Sequence, residues 1–167
     1  MVATWKHFPG LMKVHSVYDT SYSHWYKNIN GEGVVEQSDS QTIAQNMQAF
    51  SSNQYDMVMF SLAIYPAISD KPIVFNEPMI EQARKLQPNS LLIPDDLSEL
   101  NLKIEDVLWL FKHFDLLMFT SPQESQQVNA VLNKAYQQGL ISENEVKAKL
   151  AKQNQWRSHN GFATLAQ

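Results

Sequence analysis

Strand-type and helix-type hydrophobic patterns alternate along most of the chain. Residues 2–8 form a short strand candidate that ends at Pro9-Gly10. Over residues 40–50 the apolar positions Ile43, Met47 and Phe50 recur at helical spacing. Residues 56–61, Asp-Met-Val-Met-Phe-Ser, are a continuous apolar run of the kind expected of a strand covered on both faces. Asn76 can cap a helix in which Ile80, Ala83 and Leu86 share a face, with Pro78 tolerated in the first turn. Residues 90–94 predict another buried strand, and residues 103–114 a helix with Ile104, Val107, Leu108 and Phe111 on one face. Residues 115–120, Asp-Leu-Leu-Met-Phe-Thr, repeat the buried-strand pattern. Ser121-Pro122-Gln123-Glu124 has the form of a capping box with proline at the first helical position. The helix that follows buries Val128, Val131, Leu132 and Ala135 and stops at Gly139. Ser142-Glu143-Asn144-Glu145 opens a last helix carrying Val146 and Leu150.

Four strands, each followed by a helix, define an α/β chain with a parallel sheet and right-handed crossovers. The pattern is shared by an open doubly wound sheet and by part of a barrel. In both, functional groups gather at the carboxyl ends of the strands. Residues 21–40 are polar and aromatic, with Gly31 and Gly33, and read as a long loop. Trp5, Tyr22, Trp25 and Tyr26 surround it and favour packing of the loop onto the domain over stacking on a ligand. From Arg157 to the end there is no clear periodicity.

Composition narrows the function. With 167 residues the chain can bury a core but is too short for a whole (β/α)8 barrel, which needs about 250. The net charge of -4 gives no electrostatic reason to expect nucleic acid or an anionic membrane as partner. The absence of cysteine excludes disulfides, thiolate metal sites and a cysteine nucleophile. The first residues lack the apolar stretch of a signal peptide and no apolar run is long enough to span a bilayer, so the default compartment is the cytoplasm.

Four polar groups fall at strand ends: Lys6-His7, Ser61-Leu62 with Tyr65-Pro66-Ala67, Asp95-Asp96-Leu97, and Thr120-Ser121. Asp95-Asp96 carries the most chemistry. A carboxylate on that rim can serve as nucleophile, base or metal ligand, whereas its ordinary role is to cap a turn. Lys6 and His7 can donate hydrogen bonds to a hydroxyl or carboxylate. His15 and His24 lie in the loop region at a spacing that matches no zinc pattern, and His113 suits a helix C-terminus.

Taken together, these residues resemble family 3 glycoside hydrolases of the β-N-acetylhexosaminidase branch. Lys6-His7-Phe8-Pro9-Gly10 matches that family's Lys-His-Phe-Pro-Gly signature. Met57-Val58-Met59 followed by Tyr65-Pro66-Ala67, then Leu91 to Leu97, then Asp115-Leu116-Leu117-Met118 resemble later strands in the same order. The resemblance runs from about Ala3 to Trp156. It implies the C-terminal half of a (β/α)8 barrel, units five to eight, over residues 1–156, with a long loop at 11–39 and a tail at 157–167.

The resemblance also implies retaining hydrolysis of terminal β-N-acetylglucosamine. Asp95 takes the nucleophile position, Lys6 and His7 those of sugar-binding residues, and Ser23-His24 makes His24 the acid/base. No metal or organic cofactor is implied. The chain departs from the family at several places. Tyr22 stands where an aspartate orients the histidine, with Asp19 as a substitute only after rearrangement. Leu11-Met12-Lys13-Val14 replaces Gly-His-Gly-Asp, Pro94 replaces a serine or threonine, and Leu62 stands where histidine is common. Two expectations follow: a hydrolase piece with little activity alone, completed as a homodimer or by a separate first half, or a non-catalytic remnant that binds carbohydrate or protein. An unrelated α/β regulatory domain leaves the Lys-His-Phe-Pro-Gly run unexplained.

Overall fold

The structure, a computed structural model, describes residues 2–11, 14–17, 23–27 and 33–165. Three short strands form its parallel sheet: β1 (Thr4–Phe8), and two further strands on which helices follow. An antiparallel pair, β2 (Val14–Val17) and β3 (Gly33–Glu36), comes next, then α1 (Ser40–Ala49). The second sheet strand, β4 (Met57–Phe60), leads to α2 (Glu77–Leu86). The third, β5 (Leu91–Pro94), leads to α3 (Ile104–His113), and α4 (Pro122–Gln137) and α5 (Glu143–His159) complete the order. The fold is mixed α/β.

The sheet order is β1-β4-β5, with both pairings parallel, so strand order in space follows strand order in the chain. Successive right-handed crossovers that advance in one direction leave their helices on one face. The core agrees. Ile43 of α1, Ile80 and Ala83 of α2 and Leu110 of α3 share a cluster with Val58, Phe60 and Leu92. The register aligns Trp5, Val58 and Leu92 across the sheet, and beside them Lys6, Met59 and Ile93, which point to the other face. Phe8, Phe60 and Phe114 pack in sequence, the first pair tilted and the second edge to face, with ring centroids 4.8 and 5.1 Å apart. Such aromatic contacts contribute about 0.5–1.5 kcal/mol beyond area burial.

Several helix boundaries match the sequence reading because the capping chemistry is local. The Asn76 side chain accepts the Met79 N–H at 3.1 Å. Ser142 and Glu145 form the reciprocal capping box of α5. Gly139 ends α4 with φ +73°, where a side chain is strained. Ser121 caps α4, but its Glu124 carboxylate pairs with Lys27 at 2.8 Å instead of closing the box.

Other expectations are corrected. Residues 115–120 form no regular ladder. The segment still runs beside β5: the Asp115 and Leu97 N–H groups donate to Leu92 O and Met118 O, both at 2.9 Å. The Leu92 N–H, however, is taken by the Asp115 carboxylate at 2.7 Å. A side chain occupies the place of a strand carbonyl, and the ladder does not propagate. Nor is the segment buried on both faces, since residues 116–119 are only half-buried. β4 is likewise one-sided: Val58 and Phe60 are buried, Met57 and Met59 half-buried.

Ile104 is 62% exposed, because the buried stripe of α3 is Val107 and Leu110. On α4 only Ala135 is fully buried, whereas Val128, Val131 and Leu132 remain half-covered. The stretch at 21–40 is not all loop, since it contains β3 and a 3-10 turn at Ser23–Trp25. Its aromatics pack: Trp25 meets Phe75 at 5.3 Å, and buried Tyr26 donates to Leu62 O at 2.8 Å. Helix α5 continues past Arg157 to His159. No helix among the described residues is long and apolar enough to cross a membrane.

Candidate functional site

The carboxyl ends of β1 and β5 are brought together over the end of β4. His7 Nε2 lies 3.0 Å from Asp95 Oδ2. The strands carrying them are not neighbours, and two strand spacings amount to about 9.6 Å. The pair therefore needs side chains aimed along the sheet's upper rim. A break in register supplies the aim. Lys6 pairs with Met59 and Phe8 with Phe60, so His7 is the extra residue of a bulge. A bulge re-aims one side chain without unpairing the strand. The Lys6–His7 and Phe8–Pro9 peptide bonds are cis.

Asp95 follows β5 directly, and its N–H donates to Phe60 O at 2.9 Å. Its Oδ1 accepts the Asp96 N–H at 2.9 Å, which leaves Oδ2 as the oxygen that faces His7. The His7 and Asp95 side chains are 24% and 36% exposed, so a ligand arriving from solvent can reach both.

Asp96 turns the other way. Its carboxylate accepts from the Thr120 N–H at 2.9 Å, the Thr120 hydroxyl, and the Ser98 N–H at 3.0 Å. Burial opposes its ionisation, but the hydrogen bonds from Thr120 and Ser98 outweigh burial and hold its pKa below the ordinary carboxylate value. The two carboxylates thus have different surroundings. Asp95 faces the rim and Asp96 caps the turn at Leu97–Glu99. Nothing in the composition of the pair separated these roles; only the neighbouring Ser98 and Thr120 do.

The Phe-Pro-Gly run has a packing reason. Gly10 adopts φ +125°, and a Cβ there would lie 2.8 Å from Asn46 Cβ on α1. Tyr65, whose pKa burial raises, donates its hydroxyl to Gly10 O at 3.0 Å. The Lys-His-Phe-Pro-Gly and Tyr-Pro-Ala runs are therefore in contact. Ser61 points inward instead, accepting the Ala63 N–H at 2.9 Å.

The structure does not gather every candidate. Lys6 is exposed beside His7 and pairs with no acidic group among the described residues. His24 sits exposed on the turn Ser23–Trp25, with its ring 5.1 Å from that of Trp25. The turn is fastened to the stretch beyond Asp96: Lys27 N–H donates to Glu99 O at 2.9 Å, and the Asn101 amide donates to Tyr26 O at 2.8 Å. No hydrogen bond or ion pair joins the His24 side chain to His7 or Asp95 among the described residues. Asp19 and Tyr22 lie outside the described residues. No group of three or more His, Asp or Glu side chains suited to a metal occurs among the described residues.

Comparison with known proteins bears on the fold. No protein-family model matches the chain, and no curated protein sequence does. Solved structures do. The chain is similar to zinc-bound CbsA from Thermotoga neapolitana, with a TM-score of 0.71 at 20% identity over 93% of this chain and 35% of that one. It is similar to the β-N-acetylhexosaminidase from Beutenbergia cavernae, with a TM-score of 0.67 at 20% identity over 95% of this chain and 46% of that one. A fungal multi-domain GH3 β-N-acetylglucosaminidase gives a TM-score of 0.68 at 16% identity over 94% of this chain and 19% of that one. The fold thus belongs with segments of such structures, and the chain spans less than half of each.

Proposed function

We propose that the chain is the C-terminal half of a family 3 glycoside hydrolase barrel, comprising units five to eight. The observation that carries this reading is the His7–Asp95 pair at 3.0 Å, on a rim where strand order follows chain order. An unbroken strand order has no switch point, which favours an arc of a barrel over a doubly wound sheet. Residues 115–120 take the place of the eighth strand, fastened to β5 through Asp115 and to the turn at Leu97 through Met118. The similarity to hexosaminidase structures supports the same reading.

In this reading the substrate is a terminal β-N-acetylglucosaminide. Asp95 attacks the anomeric carbon as the glycosidic C–O bond breaks, and His24 protonates the leaving oxygen. Water then displaces Asp95 while His24 takes its proton. His7 orients Asp95 and, with Lys6, donates to sugar hydroxyls. Because the rest of the rim comes from the other half, the chain alone turns over little or no substrate. A homodimer or a separate first half would complete it, since the outer edge of β1 and the irregular edge at 115–120 each offer unpaired backbone.

The test is release of aryl alcohol from an aryl N-acetyl-β-glucosaminide. It is run on the chain alone, and on the chain mixed with the first half of a hexosaminidase barrel. Turnover on mixing that Asp95→Asn abolishes supports the reading. Turnover that survives Asp95→Asn overturns the assignment of Asp95.

A second reading is favoured by one observation, the separation of His24 from the pair. A rim that keeps Asp95, His7 and Lys6 without a placed acid binds sugar and does not cleave it. Saturable binding of N-acetylglucosamine, lost in His7→Ala, with no turnover by the chain alone or by the mixture, selects this reading.

A further inference from the structure

We propose that the opposite end of the sheet carries a second binding site, for a neutral, hydroxyl-rich ligand of oligosaccharide type. A cleft of about 520 Å³ lies between the C-terminal part of α5 and the residues that enter β4 and β5. Its size falls within the roughly 300–1,000 Å³ of small-molecule sites. Its wall joins aromatic surface to amides, with Asp56, Lys152 and His159 also on it. Trp156 and Tyr55 supply rings, and Asn89 and Gln155 supply amides that both donate and accept, while the Asn160 amide already donates to Trp156 O at 3.0 Å.

Trp156 is held in place there. Its indole N–H donates to Asp56 O at 2.8 Å, and its ring stacks on Phe162 with an interplanar angle of 7°. A fixed aromatic plane beside amides suits a ligand with apolar C–H faces and many hydroxyls. The charged groups of the wall, Lys152, His159 and Asp56, are of mixed sign and form no cationic cluster for an anion. Lys152 is already paired with Asp115 at 2.9 Å, and the Asp56 carboxylate, bonded to the Ala3 N–H, adds a negative group to the wall. The site is separate from the His7–Asp95 rim, from which the full length of the strands divides it, and it does not depend on the hydrolase reading.

The experiment is a titration of the isotopically labelled chain with chitotriose, with cellotriose and with inorganic phosphate, followed by amide and indole NMR shifts. Expected are saturable shifts at Asn89, Gln155 and the Trp156 indole N–H with a trisaccharide, and none with phosphate. The test variant is N89A/Q155A, because both side chains are exposed and form no hydrogen bond among the described residues, so folding is spared. It weakens binding at this cleft by at least about fivefold, the effect of losing one hydrogen bond. H7A leaves the cleft's affinity unchanged. Shifts confined to the His7–Asp95 end, the absence of shifts at tens of millimolar saccharide, or tighter binding of phosphate each overturn the proposal.

Discussion

Asp115 holds the backbone N–H of Leu92 at 2.7 Å while also pairing with Arg84 and Lys152. One carboxylate thereby joins the fourth β-like segment to β5, to α2 and to α5. Burial opposes its ionisation, but the Arg84 hydrogen bond and charge, the Leu92 N–H and the Lys152 charge together lower its pKa from 3.8. A lowered carboxylate pKa gives stability that is fully present above the unfolded value and is lost as pH falls through the folded one. Acid unfolding is therefore expected to set in below about pH 4. In Asp115→Asn, urea unfolding at pH 7 shows a loss of about 3 kcal/mol, and the slope of stability with pH below 4 flattens.

Lys149 gives a dependence of the same sign at the alkaline end of the scale. Burial lowers its pKa to about 8, with the Asp115 charge opposing the shift and Arg84 aiding it, while its ammonium donates to Phe114 O at 2.7 Å. A lysine with a lowered folded pKa is one that the unfolded chain protonates more readily. Stability should thus rise as pH climbs from about 8 towards 10.5. Lys149→Met removes that rise, which thermal unfolding at a series of pH values reads directly.

The Asp96 carboxylate is expected to stabilise the turn that follows β5 and its contact with Thr120. Asp96→Ala leaves the Thr120 N–H, the Thr120 hydroxyl and the Ser98 N–H without their acceptor. The cost is about 1–2 kcal/mol in urea unfolding. Thr120→Val, which removes only the hydroxyl, costs less. Amide exchange at Thr120 accelerates in the first variant and much less in the second.

Gly10→Ala tests the packing account of the Phe-Pro-Gly run. A φ of +125° and a Cβ 2.8 Å from that of Asn46 predict destabilisation of about 2–3 kcal/mol. Adding Asn46→Gly removes the contact but not the dihedral strain. A double-mutant cycle should return a coupling of about 1 kcal/mol between the two positions.

The His7–Asp95 contact is half-exposed and adds little to stability, about 0–1 kcal/mol. Asp95→Asn therefore leaves the urea midpoint nearly unchanged. On the proposed hydrolase reading, the same variant in a completed barrel lowers aryl glycoside turnover by about 1,000-fold or more. Parallel measurement of both separates chemistry from folding.

What could be read from sequence was what depends on near neighbours. Asn76, Ser142 with Glu145, and Gly139 act within a turn of their own helices, and each was legible. The placement of Lys6-His7 and Asp95 on one rim followed from strand periodicity alone. The residues that were misread take their role from distant partners. Residues 115–120 have the composition of a buried strand, but the Asp115 carboxylate intercepts the Leu92 N–H from 23 residues away. Ile104 fits an apolar stripe by spacing, yet the stripe that meets the core is set by the crossing of α3 over the sheet, which no local pattern encodes. The bulge at His7 shows only once Lys6 and Phe8 are paired with Met59 and Phe60.

The arrangement of β1, β4 and β5 in chain order also bears on how the molecule is made. Each strand adds beside the one synthesised before it, so the sheet grows from one margin as the chain leaves the ribosome. The bond from Trp156 to Asp56 spans 100 residues and is the longest-range link described above. It cannot form until α5 is out. The sheet is thus expected to be in place before α5 docks beneath it, an order that pulsed hydrogen exchange at Leu92 and at the Trp156 indole resolves.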